Sequence, residues 1–400
     1  MNASFDRRIF GSEMKYLHEV LQTEFRSSQG SLMMRRFEET FSKRFGSKYA
    51  ISFVNGTATM HAALEARGIG PGDEVIVPPL TMSATTFAVL QANATPVFAD
   101  VDERTFQIDP RSIAECITPR TKAIITVALY GLSPDMDPIM ALAETHGLTV
   151  IEDNAECFLG TYKGRLVGTL GHCSSFSFQS SKHLTSGEGG VVLTDDLDYA
   201  ENIRKVQSLG YAGVSASKGK ISKRDIQDPG YSRHVTMGWN YRMPELCCAV
   251  ALAQTENIDT LVGRRIEVAR IFDEATREFH DWFTPQFTGP EFTNSYWTWV
   301  TCIRNPEVSW HEFRDRLIAA GGDGVYGAWK LTYLEPMFTN QNLLGRERFI
   351  SAKNLARYRN GLCPVSEYLQ PRLVQFKTNY WELGRAHRQA EILQKTLSTF

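Results

Sequence analysis

Long apolar runs, cysteine pairs and a strong net charge are all missing from this sequence. No stretch approaches the roughly 20 apolar residues that a membrane-spanning helix needs. The seven cysteines include no Cys-x-x-Cys pair, so the sequence offers neither a zinc knuckle nor a disulfide framework. The formal net charge of −2 gives no general attraction to nucleic acid or to anionic lipid.

Further absences narrow the class of protein. Residues 1–10 carry charges and no apolar core, unlike a signal peptide. His172, His183 and His234 lack the spacing of metal ligands, and no metal site is predicted. We therefore expect a cytoplasmic protein with reduced thiols, without a nucleic-acid partner and without a membrane partner.

The composition that remains is that of an ordinary globular protein. The hydrophobic fraction is 42% and the charged fraction is 22% over 400 residues. A chain of this length exceeds what one core usually holds, so we expect one large domain and a smaller one. Residues 1–260 are predicted to form the large domain, which starts with two helices, and residues 261–400 the small C-terminal domain.

Short apolar strands alternate with helical patterns through the first half of the chain. The strands are predicted at residues 49–54, 74–77, 96–100, 123–129 and 150–153, and the helices at 60–67, 83–92, 112–117 and 136–146. This alternation indicates an α/β domain with a mostly parallel central sheet flanked by helices. Residues 210–228 are predicted to be an exposed excursion, and residues 245–278 a long helical region. The C-terminal domain is predicted to be α+β.

Chemically useful residues directly follow several of these strands. Asn55 to Thr57 make a glycine turn between a strand and a helix, the geometry that points free N–H groups at an anion. The turn from Pro78 to Met82 also follows a strand, and the acid Asp153 ends one. Ligands of parallel sheets bind beyond the carboxyl ends of the strands, so the sequence predicts a site there. The glycine turn alone also fits an ordinary strand–helix connection.

The segment from residue 174 to residue 194 holds a lysine between two strand patterns. Lys182 lies among small hydroxyl residues, and Gly187 to Gly190 form a turn before an apolar strand. Glycines permit backbone angles that other residues avoid, and small neighbours let a planar ligand approach. A lysine amine held in a pocket is a nucleophile toward carbonyl groups. Taken alone, the pattern also fits a solvated loop lysine.

Eight short segments, together with Lys182, form a pattern that runs from residue 55 to residue 243. They are residues 55–58 (NGTA), 70–78 (GPGDEVIVP), 95–102 (TPVFADVD), 118–124 (TPRTKAI), 150–156 (VIEDNAE), 176–178 (FSF), 187–190 (GEGG) and 240–243 (NYRM). In this order they resemble the pyridoxal-phosphate aminotransferases of the DegT/DnrJ/EryC1/StrS family, while the C-terminal third of the chain matches more loosely. The resemblance implies the fold-type I aminotransferase architecture and pyridoxal 5'-phosphate as the cofactor.

The resemblance implies a role for each residue of a cofactor site. Lys182 resembles the lysine that forms the Schiff base with the cofactor aldehyde and then acts as general acid and base. Asp153 resembles the acid that pairs with the protonated pyridine nitrogen. Glu156 stands where the family often has glutamine or another polar residue near the cofactor hydroxyl. A strand-end acid in a turn and a solvated acid are the plainer interpretations of Asp153 and Glu156.

Binding of the cofactor phosphate is also implied by the resemblance. Gly56, Thr57 and Ala58 resemble the phosphate-binding turn. Ser177 resembles the hydroxyl that adds a further hydrogen bond. Asn240 resembles the asparagine that a neighbouring subunit donates to the phosphate, which implies a homodimer with shared active sites. The alternative for Asn240 is an ordinary turn-forming asparagine.

Three positions depart from the family pattern. Met82 follows Thr81 where an aromatic ring that stacks on the cofactor is common, and its thioether is predicted to cover the cofactor ring. Ala128 stands where a histidine is common before a Tyr-Gly pair. Residues 376–380 replace an apolar, proline-containing ending. We therefore expect an unusual substrate pocket.

Aromatic residues of the C-terminal part are candidates for a sugar or nucleotide pocket, since their faces suit both ligands. They are Trp297, Trp299, Tyr326 and Trp329. Core packing and dimer contacts explain these residues as well.

The activity that the resemblance implies is amino transfer from L-glutamate or glutamine to a keto group of a nucleotide-linked keto-deoxysugar. The product would serve a surface polysaccharide or an antibiotic. An aminocyclitol or aromatic amino-acid synthase of the same family stays open. A sugar dehydratase is disfavoured because such enzymes replace the lysine by histidine. A non-catalytic regulatory or sensor protein is disfavoured by the intact set of Lys182, Asp153 and Ser177.

Overall fold

The computed structural model describes residues 7–23, 25, 32–216, 224 and 227–400. Within that part of the chain, the strands are β1 (Tyr49–Phe53), β2 (Glu74–Val77), β3 (Thr95–Phe98), β4 (Thr121–Val127), β5 (Thr149–Asp153), β6 (Thr161–Tyr162), β7 (Arg165–Leu166), β8 (Cys173–Ser177), β9 (Gly190–Thr194), β10 (Phe283–Pro285), β11 (Phe292–Thr293), β12 (Thr298–Ile303), β13 (Tyr326–Gly327) and β14 (Leu373–Lys377).

The α-helices of the described residues flank these strands. They are α1 (Ser12–Gln22), α2 (Met33–Phe45), α3 (Gly56–Ala66), α4 (Ala84–Gln91), α5 (Pro110–Cys116), α6 (Met136–His146), α7 (Leu197–Gln207), α8 (Glu245–Glu256), α9 (Ile258–Thr276), α10 (Trp310–Ala319), α11 (Pro336–Thr339), α12 (Ala352–Leu355), α13 (Pro364–Leu369) and α14 (Leu383–Leu397). None of them combines the length and the apolar character that a membrane span needs.

Seven strands form a central sheet in the order β1-β9-β8-β5-β4-β2-β3. Neighbouring strands are parallel except at β9, which runs antiparallel to both β1 and β8. The loop at residues 178–189 contains no helix, and β9 returns antiparallel to β8 as in a hairpin instead of crossing over to run parallel. That loop carries Lys182. The predicted α/β fold with a mostly parallel sheet is confirmed.

The central sheet is covered on both faces, because successive side chains of a strand point to opposite sides. Val75 and Val77 of β2 pack into a core shared with α3 and α4. Ile76 between them packs into a second core, which includes residues of α5 and α6. Phenylalanines of α2 pack against Phe176 and Phe178 near the β8–β9 end. These layers leave the ends of the strands as the place where a ligand can reach the sheet.

A second sheet of four antiparallel strands, β10-β12-β14-β13, lies in the C-terminal part of the chain. Trp299 and Ile303 of β12 pack with residues of α9, α10 and α14. Val300 and Cys302 face the other way, into the core that also covers the central sheet. The predicted domain boundary at residue 260 lies inside α9, and the division into two domains stays a prediction.

Some elements differ from those predicted. The predicted helical region is divided at Asn257 into α8 and α9, and the Asn257 side-chain N–H donates to the Ala253 carbonyl at 2.9 Å. A small sheet, β11-β6-β7, was not predicted, because strands of two residues leave no alternating pattern. The excursion predicted at residues 210–228 lies partly outside the described residues.

Candidate active site

The predicted site residues meet at one edge of the central sheet, where the parallel strands β1, β5 and β8 end. β5 ends at Asp153, β8 ends at Ser177, and Asn55 follows β1 closely. β9 starts at the same edge with Gly190, which pairs with Ser177. The loop between Ser177 and Gly190 therefore places Lys182 at the edge where the other residues converge.

Lys182 is nearly buried, and its amine has two defined contacts. Nζ donates to Oε1 of Glu156 at 3.2 Å and lies 4.3 Å from the ring centroid of Trp297. The side chain is 11% exposed, so little bulk water reaches the amine. The indole N–H of Trp297 donates to the Ser181 carbonyl at 3.0 Å, which holds the ring beside the lysine. The loop presents an amine between a carboxylate and an aromatic face.

Glu156 is a buried carboxylate that uses both of its oxygens. Oε1 accepts from Lys182, and Oε2 accepts the N–H of Tyr130 at 3.1 Å. Burial raises the pKa of Glu156, and the Lys182 charge and the two hydrogen bonds oppose that rise. The interpretation of Glu156 as a solvated acid is therefore wrong. The phenol of Tyr130 is also buried, and it lacks a hydrogen-bond partner among the described residues.

Asp153 ends β5 with a buried carboxylate. Oδ2 accepts the Thr85 hydroxyl at 2.8 Å, and Oδ1 accepts the N–H of Ala155 at 3.1 Å. Burial raises the pKa of Asp153, while these hydrogen bonds and the charge of Lys182 oppose the rise. A cation placed at this carboxylate would favour its ionised form. Sequence reasoning missed Thr85, because a threonine in the first turn of α4 carries no local signal of this contact.

The turn that opens α3 has the geometry of an anion site. Asn55 caps the helix, since its Oδ1 accepts the N–H of Ala58 at 2.8 Å. The first N–H groups of a helix, here those of Gly56 and Thr57, have no intrahelical partner. A Cβ added to Gly56 would lie 3.0 Å from the Cβ of Ser177, so glycine permits the close approach of the turn to that serine. The structure thus brings the predicted turn and Ser177 together.

Two predicted residues lie at exposed positions. Met82 is 49% exposed and precedes α4, near Thr85 in the chain. Asn240 is exposed, and the next residue, Tyr241, accepts the N–H of Val54 at 2.9 Å through its carbonyl. This segment therefore runs beside the end of β1. Contact of Met82 with a cofactor ring and donation of Asn240 to a second subunit stay predictions.

The residues that the structure brings together fit pyridoxal 5'-phosphate. A buried acid suits a protonated ring nitrogen, and a buried lysine suits an aldehyde. A capped helix start beside a serine hydroxyl suits a phosphate. The Tyr130 phenol, without a partner in the described part of the chain, is a further polar group available to a ligand.

Comparison with known proteins identifies the class of enzyme. The sequence model of the DegT/DnrJ/EryC1/StrS aminotransferase family matches residues 8–367. The chain belongs to this family. The predicted aminotransferase class, the fold-type I architecture and the cofactor pyridoxal 5'-phosphate are thereby confirmed.

The chain is similar to several named enzymes. The chain is 41% identical over 268 residues to the GDP-perosamine synthase of Caulobacter vibrioides, a match that covers 67% of this chain and 68% of the relative. A crystal structure of an aminotransferase from Psychrobacter cryohalolentis has a TM-score of 0.83 at 29% identity, covering 98% of this chain and 96% of that one. A 3-amino-5-hydroxybenzoic acid synthase has a TM-score of 0.80 at 26% identity, covering 98% and 97%.

Proposed function

We propose that this aminotransferase moves an amino group from L-glutamate or glutamine to a keto group of a nucleotide-linked keto-deoxysugar, for a surface polysaccharide or an antibiotic amino-sugar. The observation that carries the proposal is the buried contact of 3.2 Å between the Lys182 amine and Glu156, at the same sheet edge as the buried Asp153. The 41% identity to a GDP-perosamine synthase supports a nucleotide-linked sugar as the acceptor.

The chain's own residues would bind the cofactor and move protons. Pyridoxal 5'-phosphate supplies an electron sink for a carbanion beside the reacting nitrogen. The start of α3 and Ser177 hold the phosphate, and Asp153 keeps a negative charge beside the ring nitrogen. Lys182 would take a proton from the reacting carbon and return one, because its amine lies at the site and is reached by little bulk water.

Glu156 would fix the position of the lysine amine when that amine is free. Its Oε2 is held by the Tyr130 N–H at 3.1 Å, so Oε1 has a defined place from which to accept the Nζ proton at 3.2 Å. A carboxylate held at both oxygens limits the rotamers open to the lysine. The amine therefore stays close to the site between successive reactions.

A pair of stacked tryptophans supports the proposal that the substrate is a sugar. The rings of Trp297 and Trp329 are stacked, with centroids 5.8 Å apart and planes at 19°. Trp297 also lies beside the Lys182 amine. Aromatic faces of this kind commonly line small-molecule pockets. Three residues after Trp329, the N–H of Thr332 donates to the Pro79 carbonyl at 3.3 Å, which joins this aromatic wall to the turn before α4.

A homodimer with shared active sites is part of the proposal. Val235 and Met237 are apolar, yet they are 59% and 73% exposed. Asn240 lies in the same exposed segment. Apolar side chains exposed together often mark protein contact surfaces. A second copy of the chain on this segment would bury them and would bring Asn240 to its neighbour's phosphate. The cytoplasmic location and the lack of nucleic-acid and membrane partners stay predictions.

Absorbance and product analysis test the proposed reaction. L-glutamate should remove the visible band of the lysine-bound cofactor, and a nucleotide-linked keto-sugar should restore the band and emerge with an amino group by mass spectrometry. The same keto-sugar without its nucleotide and a cyclitol ketone are the control substrates. Restoration by the cyclitol ketone alone would favour the aminocyclitol alternative.

The lysine substitution tests the assigned centre. Lys182→Ala should abolish turnover, whereas Lys395→Ala, which changes an exposed lysine of α14, should not alter it. An unchanged rate in Lys182→Ala would rule out the proposed mechanism. A protein that binds no added cofactor would favour the sensor alternative.

A further inference from the structure

A buried arginine binds the backbone carbonyls of Lys182 and its neighbour. Arg265 of α9 is only 2% exposed. One of its terminal nitrogens, Nη2, donates to the carbonyls of Ser181 at 2.9 Å and Lys182 at 3.0 Å. The other, Nη1, donates to the Trp297 carbonyl at 2.8 Å and to the Thr378 hydroxyl at 3.2 Å. One buried guanidinium therefore joins the lysine loop to the second sheet.

Arg8 approaches the same loop and completes the arrangement. Nη1 of Arg8 donates to the Ser180 carbonyl at 2.6 Å, and Nη2 donates to the carbonyls of Lys182 and His183, the latter at 3.1 Å. Arg8 and Arg265, here called the arginine clamp, together bind four consecutive carbonyls. This backbone segment is thus held at every residue around Lys182.

Burying Arg265 has a free-energy cost that a purely structural residue would avoid. Burial lowers the pKa of Arg265 to about 9, and the nearby charge of Arg8 acts in the same direction. No carboxylate pairs with Arg265 in the part of the chain that the structure describes. Well-packed apolar side chains usually stabilise a core at least as well as a buried charge. The buried guanidinium charge thus lies at the backbone segment that carries the reactive lysine.

We propose that Arg265 is a positioning residue for Lys182, which couples the lysine loop to the second sheet. The inference rests on the proposed function, in which the Lys182 amine reacts with the cofactor aldehyde. Trp297 directly precedes β12, and Thr378 directly follows β14. Arg265 therefore fixes the position of the lysine loop relative to β12 and β14 of the second sheet.

A positioning role for Arg265 predicts that only the binding step that uses the Lys182 amine depends on this arginine. Loosening the loop should displace Nζ, and a displaced amine captures the aldehyde less well. The phosphate site and Asp153 lie on other elements, so binding that needs no lysine bond should be unaffected. Pyridoxine 5'-phosphate is the probe for this, because it has the ring and phosphate of the cofactor but an alcohol in place of the aldehyde.

The experiment compares the dissociation constants of pyridoxal 5'-phosphate and pyridoxine 5'-phosphate in three variants. Arg265→Met should weaken the binding of pyridoxal 5'-phosphate by roughly 10- to 100-fold, because a reacting group that is displaced by about 1 Å loses a factor of this size. The binding of pyridoxine 5'-phosphate should be nearly unchanged. Arg265→Lys keeps the charge but not the forked geometry, and should show a smaller loss. Arg270→Met, which removes an exposed arginine from the same helix, is the matched control.

The outcomes separate a positioning role from a structural one. Equal loss for both ligands in Arg265→Met would show general damage to the pocket and overturn the inference, as would no loss for either ligand. If Arg265→Met does not fold, the same comparison in Arg265→Lys decides. A different result would refute the proposed function. In that case the wild-type protein would not bind pyridoxal 5'-phosphate more tightly than pyridoxine 5'-phosphate, and Lys182→Ala would have no preference to remove.

Discussion

Replacing Asp153 by asparagine would remove a charge from the site while keeping its hydrogen bonds. Asp153 accepts the Thr85 hydroxyl at 2.8 Å and the Ala155 N–H at 3.1 Å. The asparagine Oδ1 can keep the bond from Ala155. Its amide N–H can donate to the Thr85 oxygen, since a hydroxyl group both donates and accepts. Asp153→Asn therefore tests the charge apart from the shape of the pocket.

The lost charge should affect stability little and activity strongly. Burial raises the pKa of Asp153, so the ionised carboxylate is disfavoured in the folded protein without cofactor. We expect the free energy of unfolding of that form to change by less than about 1 kcal/mol. Beside a protonated ring nitrogen, losing one partner of a buried ion pair costs about 3–5 kcal/mol. At about 1.36 kcal/mol per tenfold change, the reaction slows roughly 150- to 5000-fold.

Single-turnover absorbance with L-glutamate measures this rate in cofactor-loaded protein. Thr85→Val is the matched control, because it removes one hydrogen bond and keeps the charge. Its expected loss is about 1–2 kcal/mol, or roughly 5- to 30-fold. Urea unfolding of both variants without cofactor checks that each folds. A rate for Asp153→Asn that is no slower than that of Thr85→Val would refute the assignment of the charge.

Two further substitutions test the aromatic wall of Trp297 and Trp329 and the effect of acid on the stability of the fold. Trp329→Ala should raise the KM for the nucleotide-linked sugar about tenfold, because it removes one ring of the stacked pair, and should leave the glutamate half-reaction unchanged. Steady-state kinetics measure the first effect and single-turnover kinetics the second. Equal effects on both half-reactions would contradict this prediction. Burial raises the pKa of Glu74, but hydrogen bonds from Thr118, Arg120 and Asn354 outweigh burial and hold that pKa below its usual value. A lowered folded-state pKa stabilises the protein above the unfolded-state pKa and loses that effect as the pH falls through the folded-state value. The difference in urea midpoint between wild type and Glu74→Gln should therefore be largest at neutral pH and shrink below about pH 4; a constant difference would contradict it.

The convergence of the site could be predicted from the sequence because it follows from parallel strands. Such strands end at one edge of their sheet, so Asp153 at the end of β5 and the turn from Asn55 to Thr57 after β1 were expected at the same edge. The apolar pattern of β2, residues 74–77, and the helical pattern of α6, residues 136–146, gave the same bounds as the structure. Local periodicity and strand direction are the two properties that a sequence expresses directly.

Contacts between distant residues could not be predicted in this way. Thr85 and Asp153 are 68 positions apart, and their hydrogen bond depends on where the packing of α4 against α3, β2 and β3 places the first turn of that helix. The contact between Lys182 and Glu156 depends on the direction in which each side chain leaves its loop. The apolar spacing of Leu261, Val268 and Phe272 places Arg265 on the buried face of α9, but the carbonyls that its guanidinium binds belong to other elements. These features arise only when separate elements pack together.

The reactive lysine is therefore placed by both parts of the chain. β8, β9 and Glu156 belong to the first 260 residues, and they hold the loop and its amine from the side of the central sheet. Arg265 and Trp297 lie beyond residue 260, and they bind the carbonyls of the same loop from the side of the second sheet. The eight segments that carry the resemblance in the sequence end at residue 243, before these two residues, although the family model continues to residue 367. A chain could thus carry every motif of the cofactor site and still lack the contacts that give its lysine a defined position.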